Sequence, residues 1–303
     1  MSVVRAERVV YGVDDLDESA RFFRDFGLTE VDDDLPGVRF TTRAGQIVEL
    51  LHADDPSLPH AVEDGNTLRE VVWGVDSQAS MEALVARLGV DREVSVRDGI
   101  AHTVDETGYG VGVTVARPDA LEIHEPGYNR WGDVERVNEA RTFPGPVHPM
   151  RLCHVALNIE KEGLREARAF YIDRLGFVIT DDVPAMGVFM RADGDADQHT
   201  MLLCHRPDKA GINHCAFEVE GFDQVVVGAN HMIEQGWRES RRLGRHTVGS
   251  NVFRFVQAPC GGRVELAADM DRVDHTYGPN LHDPAPPHHI WMLAGNREQE
   301  DAQ

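Results

Sequence analysis

The chain carries one pattern twice, 149 residues apart. "DLDESARFFRDFGLTEV" near the start resembles "EGLREARAFYIDRLGFVIT" in the middle, and Gly27 and Gly176 close the two copies at equivalent places. A short apolar strand segment precedes each copy ("RVVYGV" and "CHVALNI"), and a strand–helix stretch follows each ("LREVVWGVDSQASMEALVARLG" and "INHCAFEVEGFDQVVVGANHMIEQG"). A repeat this long implies a duplicated domain and not a solenoid. In the second copy, Leu164, Ala167, Tyr171 and Leu175 fall at helical spacing and form one apolar stripe. Gly176 then suits the left-handed position that ends a helix.

The strands alternate with period two. His154, Ala156 and Asn158 face one way, and Val155, Leu157 and Ile159 face the other. His214, Ala216 and Glu218 repeat this against Cys215, Phe217 and Val219. The apolar face is expected to pack under the helices, leaving the histidine face as the wall of a cleft. A third strand, "GGRVELAAD", places Glu265 opposite its neighbours Val264 and Leu266. Two neutral imidazoles and a carboxylate form a facial ligand set that leaves about half an octahedral shell open, as non-haem Fe(II) oxygenases require. Cys153 and Cys215, next to the two histidines, are expected on the apolar face and not among the ligands.

A length of 303 residues suits two domains. We read residues 1–138 as a first, non-catalytic domain and 139–149 as a linker, where Pro144, Pro146 and Pro149 block regular structure. Residues 150–273 form a metal-binding catalytic domain, and 274–303 a tail that wraps this domain before fraying. The net charge of −22 excludes nucleic-acid backbone and anionic membrane surfaces as partners. No apolar run approaches a membrane span, the first residues are too polar for a signal peptide, and the four cysteines lack a CxxC pair. These features point to a reduced, cytoplasmic protein.

On these segments the chain resembles the vicinal oxygen chelate superfamily, and within it the two-domain, catechol 2,3-dioxygenase-like type I extradiol ring-cleaving dioxygenases. The resemblance implies an α+β fold of two tandem domains, each of paired βαβββ modules forming an open barrel or funnel. It implies metal ligands at His154, His214 and Glu265, the last in the "APCGGRVEL" context. It implies a catalytic histidine at His199 in "DQHTMLL" and a second at His246 in "LGRHTVGSN", which also contacts substrate. The cofactor implied is Fe(II), with Mn(II) as the alternative. The substrates implied are a small aromatic diol and O2, both of whose oxygen atoms enter the product as the ring opens beside the diol. Homo-oligomers are common for this fold. One position departs from the family: Phe255 stands where a tyrosine usually donates to a substrate hydroxyl, and a phenyl ring has no donor. Phe255 then serves as an apolar wall of the substrate site. The first copy lacks the ligand set, with Arg8 and Glu70 in place of the histidines.

Several residues carry plainer readings. Asn158 and Glu218 share the ligand face and are candidates for supporting the ligands. The run Arg241, Arg242 and Arg245 reads as a solvated face, or as an attractor for an anionic substrate. His60, His102 and His148 read as loop residues, and His288 and His289 as exposed residues of a Pro-rich tail. Two rival functions remain: a glyoxalase-like lyase or isomerase of the same superfamily, and a metal-free small-molecule binding protein.

Overall fold

Four βαβββ modules follow one another along the chain in this computed structural model, which describes residues 3–117, 121–122, 127–142 and 145–294. The first comprises β1 (Val3–Val13), α1 (Leu16–Asp25), β2 (Thr29–Val31), β3 (Val38–Thr41) and β4 (Ile47–His52). The second comprises β5 (Thr67–Val75), α2 (Gln78–Leu88), β6 (Ser95–Arg97), β7 (Ile100–Val104) and β8 (Gly110–Val115). The third comprises β9 (Arg151–Glu160), α3 (Leu164–Ala169), β10 (Val178–Val183), β11 (Gly187–Arg191) and β12 (Met201–Arg206). The fourth comprises β13 (Gly211–Glu218), α4 (Phe222–Glu234), β14 (Glu239–His246), β15 (Val252–Gln257) and β16 (Arg263–Ala268).

Each pair of modules makes one mixed, open sheet. Its first strands meet antiparallel at the centre, β1 with β5 and β9 with β13, and each then pairs in parallel with its own module's last strand. The first sheet has eight strands and the second ten. The two additional strands come from the tail: β17 (Asn280–Leu281) pairs with β10, and β18 (His289–Met292) pairs with β14. The tail thus closes both edges of the second sheet. The end of the tail, where fraying is expected, lies outside the described residues, as does Pro144 of the linker.

Local chemistry sets the helix ends. Asp15 caps α1 by accepting from the Glu18 amide at 2.8 Å, and Gly27 ends it with φ +90°. Gly176 has φ +80° at the matching place. The apolar stripe predicts α-helix through Leu175, but Phe170–Leu175 winds as a π-helix. The wider turn buries Phe170, Tyr171 and Leu175 together, and the Tyr171 hydroxyl donates at 2.8 Å to Asp105, just after β7 in the first half.

One continuous apolar core joins the two halves. Phe22 of α1 and Phe26 just after it pack edge-on against Trp237 and Phe217 of the second half, and Trp73 packs against Phe177. Polar bonds cross the same boundary: Gln46 donates to Leu152 carbonyl at 2.9 Å, and Tyr109 to Asn158 carbonyl at 2.8 Å. With one face of each sheet committed to this core, functional side chains are confined to the other.

Candidate active site

Two bulges aim the histidines. Cys153 has no partner between the pairs Leu152–Phe217 and His154–Ala216, and Asn213 has none between Ile212–Leu157 and His214–Ala156. A bulge re-aims the residue that follows it. Leu152, Val155, Ile212 and Cys215 therefore all stay in the core, while His154 and His214 face away from it. Cys153 departs from its expected place on the apolar face. Inside the bulge it forms a small cluster with Ala216 and Ala267, its sulfur 3.7 Å from His154 Nδ1. Cys215 does lie in the main core, accepting from Tyr11 at 3.1 Å.

The structure brings His154, His214 and Glu265 together. Their facing atoms form a nearly equilateral triangle: His154 Nε2 to His214 Nε2 is 3.1 Å, His154 Nε2 to Glu265 Oε2 is 3.3 Å, and His214 Nε2 to Glu265 Oε2 is 3.2 Å. Metal–ligand bonds of about 2.0–2.2 Å at octahedral to tetrahedral angles put neighbouring ligand atoms roughly 2.8–3.6 Å apart, so one ion suits all three. Glu265 is fully buried, and its Oε2 has no hydrogen-bond partner. A buried carboxylate oxygen left unpaired is costly, and a cation on the triangle would satisfy it. The other oxygen, Oε1, accepts from Asn251 Nδ2 at 2.9 Å, which turns Oε2 toward the imidazoles. Burial, aided by the Arg151 charge, pushes His154 down to about 3, and burial brings His214 to about 3 against the pull of Glu265. Both rings are neutral and keep a lone pair for a metal. His214 Nδ1 donates to Asn213 Oδ1 at 2.8 Å, which leaves its Nε2 unprotonated.

A cavity of about 350 Å³ opens over the triangle, and His199, His246 and Phe255 line it. His199 is almost fully buried beside His154, with ring centroids 4.4 Å apart. Its Nδ1 lies 2.6 Å from Gln198 Oε1, an acceptor, so the proton sits on Nδ1 and Nε2 is free. Gln198 is itself held through its amide nitrogen by Asp181 at 2.5 Å, and Asp181 also accepts from His282 and Tyr277 of the tail. Burial, then the neighbouring His154, holds His199 well below the usual imidazole range. His246 stacks on Phe253 with centroids 4.0 Å apart, and its Nε2 is 3.9 Å from Glu265 Oε1. Burial and the surrounding His288 and Arg241 lower it as well. Phe255 is fully buried, its ring 5.0 Å from that of His214.

Comparison with known proteins agrees with this architecture. Residues 5–131 and 151–266 match the Glyoxalase/Bleomycin resistance protein/Dioxygenase superfamily. The chain belongs to this superfamily. A stretch of 127 residues is 33% identical to Metapyrocatechase 2 of Cupriavidus necator, covering 42% of this chain and 39% of that protein's length. Among solved structures, the catechol dioxygenase BphC superimposes with a TM-score of 0.75 at 14% identity, covering 98% of this chain and 96% of that one. The 2,3-dioxygenase LapB of Pseudomonas sp. KL28 gives 0.71 at 18% identity, with coverages of 93% and 99%. The Mn(II)-bound glyoxalase of Novosphingobium aromaticivorans gives 0.69 at 23%, with coverages of 93% and 88%. No described helix is long and apolar enough to cross a membrane.

Within this superfamily chain, several expected positions move. His288 is exposed, as expected, and His289 half-buried, yet both approach the site. Strand β18 brings both rings to within 5.5 Å of His246, and His288 lines the cavity. His102 lies on strand β7, not in a loop, with its Nδ1 2.8 Å from Glu70. Asn158 does support the site: its Oδ1 accepts from Asn213, the residue that holds His214. Glu218 does not; it pairs with Arg151 and Arg272 away from the triangle. Arg241 lines the cavity, whereas Arg245 pairs with Asp269 outside it. Gln198, Asp181, Asn213 and Asn251 carry no sequence signal beyond adjacency to a histidine or, for Asp181 and Asn251, none at all. Their roles come from tertiary pairing.

Proposed function

We propose that this chain is an extradiol dioxygenase, cleaving a catechol-type aromatic diol with O2 at a mononuclear Fe(II) held by His154, His214 and Glu265. Mn(II) is the alternative ion for the same donors. The observation that carries this reading is the buried Oε2 of Glu265. It is unpaired, faces two neutral imidazoles at 3.2–3.3 Å, and lies beneath a cavity flanked by two further neutral histidines. An ion held by these three residues would supply Lewis-acid and redox chemistry toward a diol and O2.

The protein residues divide the remaining work. His199 Nε2, unprotonated because Nδ1 donates to Gln198, accepts the proton of a substrate hydroxyl and returns it later in the reaction. Its lowered basicity keeps it neutral and ready at neutral pH. His246, held flat on Phe253, hydrogen-bonds a substrate oxygen and takes over the donor role that Phe255 cannot fill. Phe255, Phe189 and Leu202 give the cavity apolar walls that orient an aromatic ring and exclude water. The first half acts as a structural support.

A lyase or isomerase reading draws on the likeness to the Mn(II)-bound glyoxalase. One experiment separates the two. The chain is loaded anaerobically with ferrous iron, a panel of diols is added, and oxygen is admitted. Consumption of one O2 per diol with a yellow ring-opened product supports the dioxygenase; no uptake with any diol refutes it.

A further inference from the structure

Three arginines line the cavity: Arg206 at the end of β12, Arg241 on β14 and Arg263 at the start of β16. Elsewhere many arginines pair with carboxylates, as Arg39 does with Asp33 and Glu49, Arg92 with Glu106, and Arg151 with Asp197 and Glu218, while a few such as Arg69 and Arg191 donate to backbone carbonyls. Carboxylates are abundant, at 52 Asp and Glu. Yet no described carboxylate forms an ion pair with any of these three. Arg206 donates to Asn158 Oδ1 at 3.0 Å and to the His205 carbonyl, and Arg263 donates only to Asn213. Arg241 lies over the Phe255 ring, 5.3 Å from its centroid, and Arg263 lies 4.9 Å from the same centroid.

The three cations also burden one another. Burial lowers Arg241, and the neighbouring Arg206 charge acts in the same direction. Glu265 partly offsets Arg241, but its oxygens already serve the triangle and Asn251. Unpaired, partly buried cations are costly, and a planar guanidinium is matched in shape and charge by a carboxylate.

We infer that this arginine wall receives an anionic substituent of the substrate, so that the diol turned over is an aromatic carboxylate and not an uncharged catechol or hydrocarbon-substituted diol. The inference rests on the proposed function for the diol half of the ligand; the anionic half is independent of it. Phe255, beneath two guanidinium groups and beside His214, joins the arginine wall to the metal triangle.

The test is anaerobic binding to the Fe(II)-loaded chain, by calorimetry, of catechol, 3,4-dihydroxybenzoate, 3,4-dihydroxyphenylacetate and benzoate. At least one dihydroxy acid should bind about 10- to 100-fold tighter than catechol, as charge-assisted hydrogen bonds allow. That preference should shrink as salt is raised. Arg241→Gln and Arg263→Gln should each bring the catechol-to-acid affinity ratio toward one, and Arg241→Lys should restore part of it. Unchanged circular dichroism and metal content show that the variants remain folded. Catechol binding as tightly as both acids, or a ratio that survives both Gln substitutions, overturns the inference. Ring opening of catechol without any acid preference removes only the arginine wall. Acid preference and benzoate binding without ring opening of any diol remove only the dioxygenase reading.

Discussion

The two sheets share one blueprint and differ at the face that matters. The bulges of β9 and β13 recur in β1 and β5, at Glu7 and Arg69, so Arg8 occupies the place of His154 and Glu70 that of His214. The parallel pairing of the last strand puts Gly112 where Glu265 stands. A Cβ at Gly112 would lie 2.7 Å from a Val72 methyl, so any side chain there would have to displace its neighbours. In the first sheet Arg8 pairs with Glu49 at 3.0 Å, Arg39 pairs with Glu49, and Glu70 holds His102. Every carboxylate there has a partner; in the second sheet one carboxylate oxygen has none. The same backbone device thus presents three matching positions in both halves, but side chains fill only two of them in the first half and all three in the second. Only in the second half does the residue choice leave that point short of positive charge.

This contrast can be broken by substitution. The largest effect is expected from His214→Ala, which should abolish ring opening and release the metal, while Glu70→Ala at the matching place should leave activity within about threefold, as a site remote from the chemistry does. Equal losses from the two would mean that the halves are not functionally distinct. Next, His199→Ala should keep the metal yet lower the turnover of ring opening by about 10²- to 10⁴-fold, the usual weight of a general acid–base; normal turnover removes its assigned role. Asn251→Ala frees Glu265 Oε1 and should weaken metal affinity by about 10- to 100-fold, read by competition with a chelator. Arg8→Ala should cost only about 1 kcal/mol in denaturant unfolding, because Arg39 still pairs with Glu49, and should leave metal content unchanged.

Acid should also separate the halves. Seven histidines have lowered pKa values, and all lie in the second half: His154, His199, His205, His214, His246, His288 and His289. Each takes up a proton near pH 6.5 in the unfolded chain but only at lower pH in the folded one, so stability falls as pH drops below about 6.5. Asp105 and Asp197, raised to about 6 chiefly by burial, act in the opposite direction below that pH. Seven groups against two decide the sign. The metal-free chain should melt at a lower temperature at pH 5 than at pH 7.5; an equal or higher midpoint contradicts the buried neutral histidines.

Much of this was legible in the sequence because period two and the repeat report directly on strand faces and duplication. The duplicated fold, the strands carrying His154, His214 and Glu265, and the unlike residues Arg8 and Glu70 follow from local pattern. Three kinds of feature were not legible. The bulge at Cys153 breaks strict alternation and leaves no local mark, so period two alone places the cysteine on the other face. The π-helical turn at Phe170 keeps the same apolar stripe that an α-helix would. The tail's contribution depends on strand pairings across more than 40 residues, β18 with β14 and β17 with β10, which carry no periodic signal. His288 is indeed exposed and His289 half-buried, but their approach to His246 is seen only once the sheet edge is formed. Arg206 and Arg263 converge with Arg241 only through tertiary structure, since the three lie on different strands.

The most direct test is metal stoichiometry. The chain is purified anaerobically, loaded with ferrous iron, desalted and analysed for bound metal, in parallel with Glu265→Gln and Glu70→Gln. The expected result is one ion per chain in the parent and in Glu70→Gln, and essentially none in Glu265→Gln. An ion that stays bound in Glu265→Gln, or leaves in Glu70→Gln, would contradict the assignment of the metal to the second sheet.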